Sequence, residues 1–576
     1  MRDALTTLLG QKLPAPVEGA IEKLLRLDRL DRLWEDVPGA GTRLIAGHPL
    51  ALLNVRTQVS ARDLALIPKQ GPVVAVANHP FGLIEGAILP SLFLAVRPDV
   101  KVMANHLLAS MPETNELCIF VDPYGGERAR ANRKGLKDAI AWLKQGGLLT
   151  VFPAGEVSHL NLKERSITDP EWNHSVARLI RITGATVLPV YFLGANSALF
   201  QLLGCLHPRV RTALLPHEFF NKHDRTIEVR IGSPIAPAKV RAYQDDAALI
   251  RYLRHRTYLL RNREVPKRIE AAVSESPAAG VLAELLAGEV AKLAPGRTLV
   301  ETGDFSVLLA KAREIPNVLH EIGRLREVTF RRAGEGTGKP VDLDRFDEHY
   351  WHLFVWNRRS SEVAGAYRLG PSDEILARFG PKGFYTSQLF HWKRTFLDRI
   401  SPALELGRSF VRPEYQKTYA PLLLLWKGIG QFLIRNSQYK LLFGPVSISN
   451  GYTAASRHLM VKFLSAYRQS PELTPLVRAR NPFRQRPSKV ADESVGATVW
   501  DVEELSAQIA DMETDRKGVP VLLKQYLKLG GELVAFHVDR RFAGALDGLI
   551  VVDLRKTDAR VMERYMGKDG ATKFLA

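Results

Sequence analysis

The feature that most constrains the fold is Val73-Val-Ala-Val-Ala77, an apolar run that stops at Asn78-His79-Pro80-Phe81-Gly82 and resumes as the helix-like Leu83-Ile-Glu85-Gly86. An unbroken run of this length, closed by Pro and Gly, predicts a buried strand. His79 is then a base presented at a strand end, where the strand positions it and the loop leaves room for substrate. Glu85 falls near the start of the next helix, and two readings fit it. It can return to hydrogen-bond the imidazole, fixing its tautomer and stabilising its charged form. Otherwise it is a helix N-terminal carboxylate interacting with the dipole.

A second apolar run, Leu148-Leu-Thr-Val-Phe152, ends in Pro153-Ala-Gly155-Glu156-Val157-Ser158. Between the two lies Leu117-Cys-Ile-Phe120-Val-Asp122-Pro123, and after them Val187-Leu-Pro189-Val-Tyr-Phe192. These four blocks, in this order, resemble the glycerolipid acyltransferases over about residues 45–265. That family has an Asn-His-x4-Asp block and a later Phe-Pro-Glu-Gly-Thr-Arg-Ser block. The resemblance implies an α/β domain in which His79 and Glu85 are catalytic and Asp122, Gly155 and Glu156 bind substrate. Here the spacing from His to acid is one residue longer, and the acid is Glu. Pro123 and Val157 stand where the family has its phosphate-holding arginines, and Glu156 stands where it has Thr. A phosphate needs cationic forks or backbone donors, so the departures predict an acceptor without phosphate, with an amine near Asp122 or Glu156.

Strand-like runs at Val73–Ala77, Leu148–Phe152, Val187–Phe192 and Ile227–Ile231 alternate with helical stretches such as Ala129–Lys144 and Trp172–Ile182. That alternation predicts an α/β layer structure. From Glu264 the chain turns rich in Ala, Glu, Pro and Gly and reads as a linker with a helix in it. The expected order is an N-terminal amphipathic region over 1–44, an O-acyltransferase-like domain over 45–265, a linker over 266–299 and a second domain over 300–576.

The second half has Arg326-Glu-Val-Thr-Phe330, the acidic Asp342-Leu-Asp344-Arg-Phe-Asp347, and a strand-like Leu404-Glu405-Leu-Gly-Arg408-Ser-Phe-Val411. Alone, these read as surface ion pairs. Together with Phe354-Val-Trp-Asn357 and Phe443-Gly-Pro-Val-Ser-Ile-Ser-Asn450 they resemble the acyl-homoserine lactone synthases and the ornithine-lipid N-acyltransferases. Both are branches of the GNAT-like acyltransferases, which implies a second α/β domain. By this resemblance Glu405 accepts the proton of an attacking amine, Arg408 holds the site, and Asp344 and Asp347 attract the ammonium groups of a basic amino acid. A structural salt bridge is the other reading of Arg408 and the aspartates.

The formal charge of +19 calls for an acidic partner or surface. No zinc-ligand spacing, Walker loop or RNA-binding signature accompanies it, so nucleic acid ranks last. Acyl carrier protein and an anionic membrane surface remain. Lys23–Trp34, with Leu24, Leu27, Leu30 and Trp34 at helical spacing, suits either a membrane surface or domain packing. Arg478, Arg480, Arg484, Arg486 and Lys489 form a run without acids that reads as a solvated loop or as a docking site. Cys118 and Cys205 give no disulfide framework. The absence of a signal-like or long apolar run predicts a cytoplasmic protein, peripheral on the inner face of a bacterial membrane.

The two halves explain one another. An N-acylated amino acid bearing a 3-hydroxyacyl chain is the natural hydroxyl acceptor for the first domain. The whole chain resembles the bifunctional ornithine-lipid synthases, with no bound cofactor or metal and an acyl thioester, on carrier protein or coenzyme A, as co-substrate. The alternative is a lysophospholipid acyltransferase whose second half only binds carrier or lipid.

Overall fold

The structure, a computed structural model, describes residues 42–105, 112–121, 129–162, 165–204, 208–264, 275–416, 420–484 and 501–576. Lys23–Trp34, Asp122, Cys205, Arg486 and Lys489 lie outside them. The chain forms two compact units, Met1–Arg263 with Ala510–Arg516, and Glu264–Ile509 with Lys517–Ala576. No helix among the described residues is long and apolar enough to cross a membrane.

The strands of the first unit are β1 (Arg56–Gln58), β2 (Val73–Ala77), β3 (Val100–Asn105), β4 (Cys118–Val121), β5 (Leu148–Val151), β6 (His159–Asn161), β7 (Ser166–Thr168), β8 (Thr186–Phe192) and β9 (Thr226–Ile231). Seven of them make one sheet in the order β1-β9-β8-β2-β5-β3-β4, and β6 pairs with β7 in a separate hairpin. β2 lies parallel between β5 and β8, with Val73 opposite both Leu148 and Thr186. Its side chains feed two cores. Val73, Ala75 and Ala77 pack with Ile88, Leu89 and Phe93 on one face, while Val74 and Val76 pack with Val176, Ile180 and Leu253 on the other. Helices cover both faces, which is why β2 reads as a continuous apolar run. The helix expected from Trp172 begins instead at His174, because Asn173 caps it through Ser175 N at 2.9 Å. Trp172 is left to bury its indole.

Ala510–Arg516 belongs to this first unit, so the reading of 300–576 as one continuous domain is corrected there. The reason is Asp511, whose carboxylate accepts from Ser233 N at 2.7 Å, Ser233 Oγ at 2.8 Å and Arg256 Nη2 at 2.8 Å. Arg256 and Asp511 are both buried, and each needs the other's charge.

The second unit contains β10 (Thr298–Thr302), β11 (Phe305–Lys311), β12 (Trp351–Asn357), β13 (Glu362–Pro371), β14 (Phe390–Trp392), β15 (Ala403–Val411), β16 (Leu441–Ile448), β17 (Val477–Ala479), β18 (Glu532–Asp539) and β19 (Ala545–Asp553). Eight of them make a sheet in the order β10-β11-β12-β13-β15-β16-β19-β18. The stretch read as a linker contains the helix Ala283–Ala291, whose Leu286 is buried with Ile315, Val318 and Ile322. The part from residue 275 onward is therefore packed structure of this unit.

β15 and β16 are parallel, and they pair only from Ala403–Leu441 to Glu405–Phe443. β16 continues alongside β19 as far as Ile448, whereas β15 continues alongside β13. The two strands therefore part and open a wedge. At its apex a Cβ on Gly444 would run into the carbonyl oxygen of Leu406, so no other residue fits without moving backbone. Gly444→Ala is expected to destabilise the second unit by about 2 kcal/mol or more, read as a lowered midpoint in thermal unfolding. An unchanged midpoint would contradict this close approach.

Candidate active sites

In the first unit the end of β2 is pinned by a side chain. Asn78 Nδ2 donates to Phe192 O at 3.0 Å, and its Oδ1 accepts from Phe192 N at 2.7 Å, which prolongs the pairing with β8 after the backbone turns away. His79 follows. Its Nδ1 lies 3.3 Å from Glu85 Oε1, and its ring stacks on Phe152 with centroids 4.3 Å apart. The imidazole is 14% exposed, so it is reachable and not sealed in the core. Glu85 is fully buried, and its Oε1 also accepts from Phe81 N at 2.6 Å and Gly82 N at 3.1 Å. Burial works to raise the pKa of this carboxyl. The His79 imidazole and the Phe81 N–H outweigh it and hold the group below its usual range.

The blocks after His79 and after β5 are tied together. Ser158 N donates to His79 O at 2.8 Å, and Asp169 Oδ1 accepts from His79 N at 3.1 Å and from Ser158 Oγ. Trp172 Nε1 donates to the other oxygen, Asp169 Oδ2, at 2.9 Å. Asp169 sits in none of the sequence blocks, and the buried Trp172 three residues on is its one signal in the sequence. Gly155 is exposed on the turn after β5. Glu156 is paired with Arg211 Nη2 at 3.2 Å, so the carboxylate expected to meet an amine already has a guanidinium partner. Val157, at a family arginine position, packs with Phe200 and Leu214 in a small apolar cluster.

The second unit holds a cavity of about 960 Å³, whose wall includes Asp342, Asp344, Tyr385, Arg408, Arg457, Asp539 and Phe542. Arg408 Nη1 lies 3.4 Å from Asp342 Oδ2 and its Nη2 lies 3.8 Å from Asp344 Oδ2, while its guanidinium sits 4.9 Å from the rings of both Tyr385 and Phe542. Asp342 Oδ2 and Asp344 Oδ2 are buried oxygens without a hydrogen-bond donor among the described residues. Burial pushes the Asp342 carboxyl above its usual range, opposed by Arg408 and Arg326.

Two expectations are corrected. Asp347 is not on the cavity wall: it is buried between Arg326 Nη1 at 2.8 Å and Arg368 Nη1 at 3.2 Å, which hold its carboxyl far below the usual range against the pull of burial. It is a structural ion pair. Glu405 is likewise buried and off the wall, accepting from Tyr350 Oη, from Tyr385 N at 3.3 Å and from Thr386 N at 2.9 Å. Burial keeps its carboxyl above the usual range. Glu405 thus anchors the turn that presents Tyr385 and has no face open to an amine. Sequence reasoning also missed a group of acids beside Arg408. Burial pushes Glu335 up to about 7, and Asp547 rises well above its usual value through burial and then Asp539 and Glu335. Asp539 and Asp547 lie on a hairpin far along the chain, where spacing gives no hint of convergence.

Comparison with known proteins agrees with this division. Residues 53–265 match the family described as Acyltransferase, and residues 325–426 match the Acetyltransferase (GNAT) domain. A glycine N(alpha)-acyltransferase of Phocaeicola vulgatus is 32% identical over 237 residues, 39% of this chain and 72% of that protein. An L-ornithine N(alpha)-acyltransferase of Brucella abortus is 25% identical over 283 residues, 46% of this chain and 89% of that protein. A lyso-glycine lipid O-acyltransferase of Bacteroides thetaiotaomicron is 28% identical over 186 residues, 31% of this chain and 66% of that protein. Fold and sites together define an enzyme that transfers acyl groups, built from an acyltransferase domain and a GNAT domain, both α/β as expected. The chain belongs to the N(alpha)-acyltransferase family that the glycine enzyme of Phocaeicola vulgatus represents.

Two stability measurements separate these roles. The folded Glu85 carboxyl has a lowered pKa, so its contribution is present above the unfolded value of 4.5 and is lost as pH falls through the folded one. Glu85→Gln is expected to unfold at lower temperature than wild type at neutral pH and to converge with it in acid; an equal deficit at every pH would contradict the lowered pKa. Asp347→Ala strands the buried Arg326 guanidinium and leaves Arg368 with Asp344 alone, and is expected to cost about 3–5 kcal/mol in denaturant unfolding. A cost within about 0.5 kcal/mol, typical of a surface site, would return Asp347 to the solvent-facing role.

Proposed function

We propose that this enzyme makes a phosphorus-free aminolipid in two acyl transfers. The GNAT-like unit N-acylates an amino acid bearing a second ammonium group, of the ornithine type, with a 3-hydroxyacyl thioester. The first unit then acylates the new hydroxyl. The observation that carries this reading is the pair of buried oxygens on the cavity wall, Asp342 Oδ2 and Asp344 Oδ2, which face Arg408 at 3.4 and 3.8 Å but accept no hydrogen bond among the described residues. Buried carboxylate oxygens left without donors are costly, and an ammonium group supplies three. Glycine, the substrate named for one relative, would fill this wall less completely.

In the N-acylation, the α-ammonium first loses a proton. Asp342 suits this step better than Glu405, because it faces the cavity and its carboxyl is pushed toward holding a proton. The neutral amine attacks the thioester carbonyl, the C–S bond breaks, and the thiol leaves through the wedge between β15 and β16. Glu405 serves as a positioning residue behind Tyr385. In the O-acylation, Glu85 faces Nδ1, which leaves His79 Nε2 free to take the proton of the hydroxyl as it attacks a second thioester. The imidazolium then protonates the departing thiolate. Gly155 and Glu156 border this site, and Asp122 is assigned to it by sequence alone.

The missing arginines favour this acceptor over a lysophosphatidate, since Arg211, a cation beside the second block, is engaged by Glu156. The charge of +19 supports an acidic acyl carrier protein as donor and a peripheral position on an anionic membrane. Lipids extracted from cells expressing the full chain test the reading by mass spectrometry. Wild type is expected to yield the diacyl aminolipid, and His79→Ala only its lyso form, a loss in ester formation of about a hundredfold or more. Diacyl product at the wild-type level from His79→Ala, or a preference for lysophosphatidate, would overturn it.

A further inference from the structure

Arg457 lies in the second turn of the helix Ala454–Tyr467 and on the wall of the same cavity. Its guanidinium is half-buried, its Nε is shielded from solvent without a hydrogen-bond partner, and no carboxylate among the described residues pairs with it. Burial alone acts on it, lowering its pKa with no neighbouring charge to offset the effect. Its position near the helix N-terminus adds to the imbalance, because that end of a helix favours anions and disfavours cations. The two buried guanidinium groups nearby are compensated: Arg408 meets Asp342 and Asp344, and Arg368 meets Asp344 and Asp347. Arg457 is therefore a cation on the cavity wall without an anionic partner among the described residues.

We propose that Arg457 binds the carboxylate of the amino-acid acceptor, so that the cavity recognises a zwitterion with Arg457 on one wall and Asp342 and Asp344 on another. This rests on the amino-acid reading of the preceding subsection and deepens it. An arginine fork and a carboxylate match in geometry and charge, and both are worth more in a partly desolvated cavity. A single amino acid would give Arg457 an anion and supply hydrogen-bond donors to the two carboxylate oxygens at once. A phosphate from the donor's pantetheine arm would satisfy Arg457 but leave the two carboxylate oxygens unfilled, and the exposed Arg540 and Arg541 on the outer wall already offer it cations. The consequence is a specificity rule. The acceptor must have a free carboxylate, so a decarboxylated diamine or an amino-acid amide is a poor substrate however well its ammonium groups fit.

Steady-state N-acylation by the full chain tests this, with Arg457→Met and Arg457→Lys compared against wild type on ornithine, ornithine amide and the decarboxylated diamine. Arg457→Met is expected to raise the KM for ornithine by about tenfold to a hundredfold, with kcat and the KM for the acyl thioester changed by less than about threefold. It should use the amide and the diamine as wild type does, and Arg457→Lys should recover part of the ornithine affinity. The thermal midpoint of Arg457→Met without substrate should stay level or rise, since an uncompensated cation has been removed; a purely structural arginine would lower it. A rise in donor KM with ornithine KM unchanged would assign Arg457 to the donor's phosphate and overturn the proposal, as would no change in either. If wild type N-acylates no amino acid, the functional reading itself fails, a result distinct from failure of the Arg457 assignment.

Discussion

The first unit depends on one buried carboxylate. Glu85 has no solvent to satisfy it, so its oxygen collects the N–H groups of Phe81 and Gly82 and approaches His79 Nδ1 at 3.3 Å. Those contacts hold the turn after β2 and set the Nδ1 side of His79 toward the carboxylate. The one-residue lengthening between base and acid is absorbed in that same turn. Gly82 adopts φ +99°, and a Cβ there would come within 2.5 Å of Leu215 and 2.9 Å of Val157, so the extra residue is accommodated by one that has no side chain. The longer spacing brings Glu to the imidazole, and the helix-dipole reading is not needed to explain it.

The second unit divides its charges by depth. Arg326 and Asp347 are sealed together, and Arg368 links them to Asp344. That buried network fixes the geometry of the wall, where Asp342, Asp344 and Arg408 remain partly unsatisfied. Removing charges from water is costly, and a fold retains them where they are paired or where a ligand completes them. Both cases occur here within a few residues of one segment, which is why Asp342, Asp344 and Asp347 could not be told apart by spacing.

Much of the first sheet was legible because β2, β5 and β8 are buried strands whose composition alone marks them. The His79–Glu85 pair was legible because both members lie on one turn. Local signals end there. Asp169 reaches His79 from 90 residues away, and Asp539 and Asp547 approach Arg408 on a hairpin that no motif connects to it. Glu405 shows the same limit: its block marks it as important, but spacing does not reveal that it is buried against Tyr385 N and Thr386 N. Ala510–Arg516 joins the first unit through the buried Asp511 and through Arg516, charges that composition does not distinguish from surface ones.

The central claim is that Glu85 orients His79 so that Nε2 faces the reacting hydroxyl, and nitrogen NMR of the ¹⁵N-histidine-labelled full chain tests it most directly, with His79 assigned by the loss of its signals in a variant. The account predicts that Nδ1 carries the ring proton facing Glu85, with that preference lost in Glu85→Gln. A ring protonated at Nε2, or a tautomer indifferent to Glu85, would contradict it.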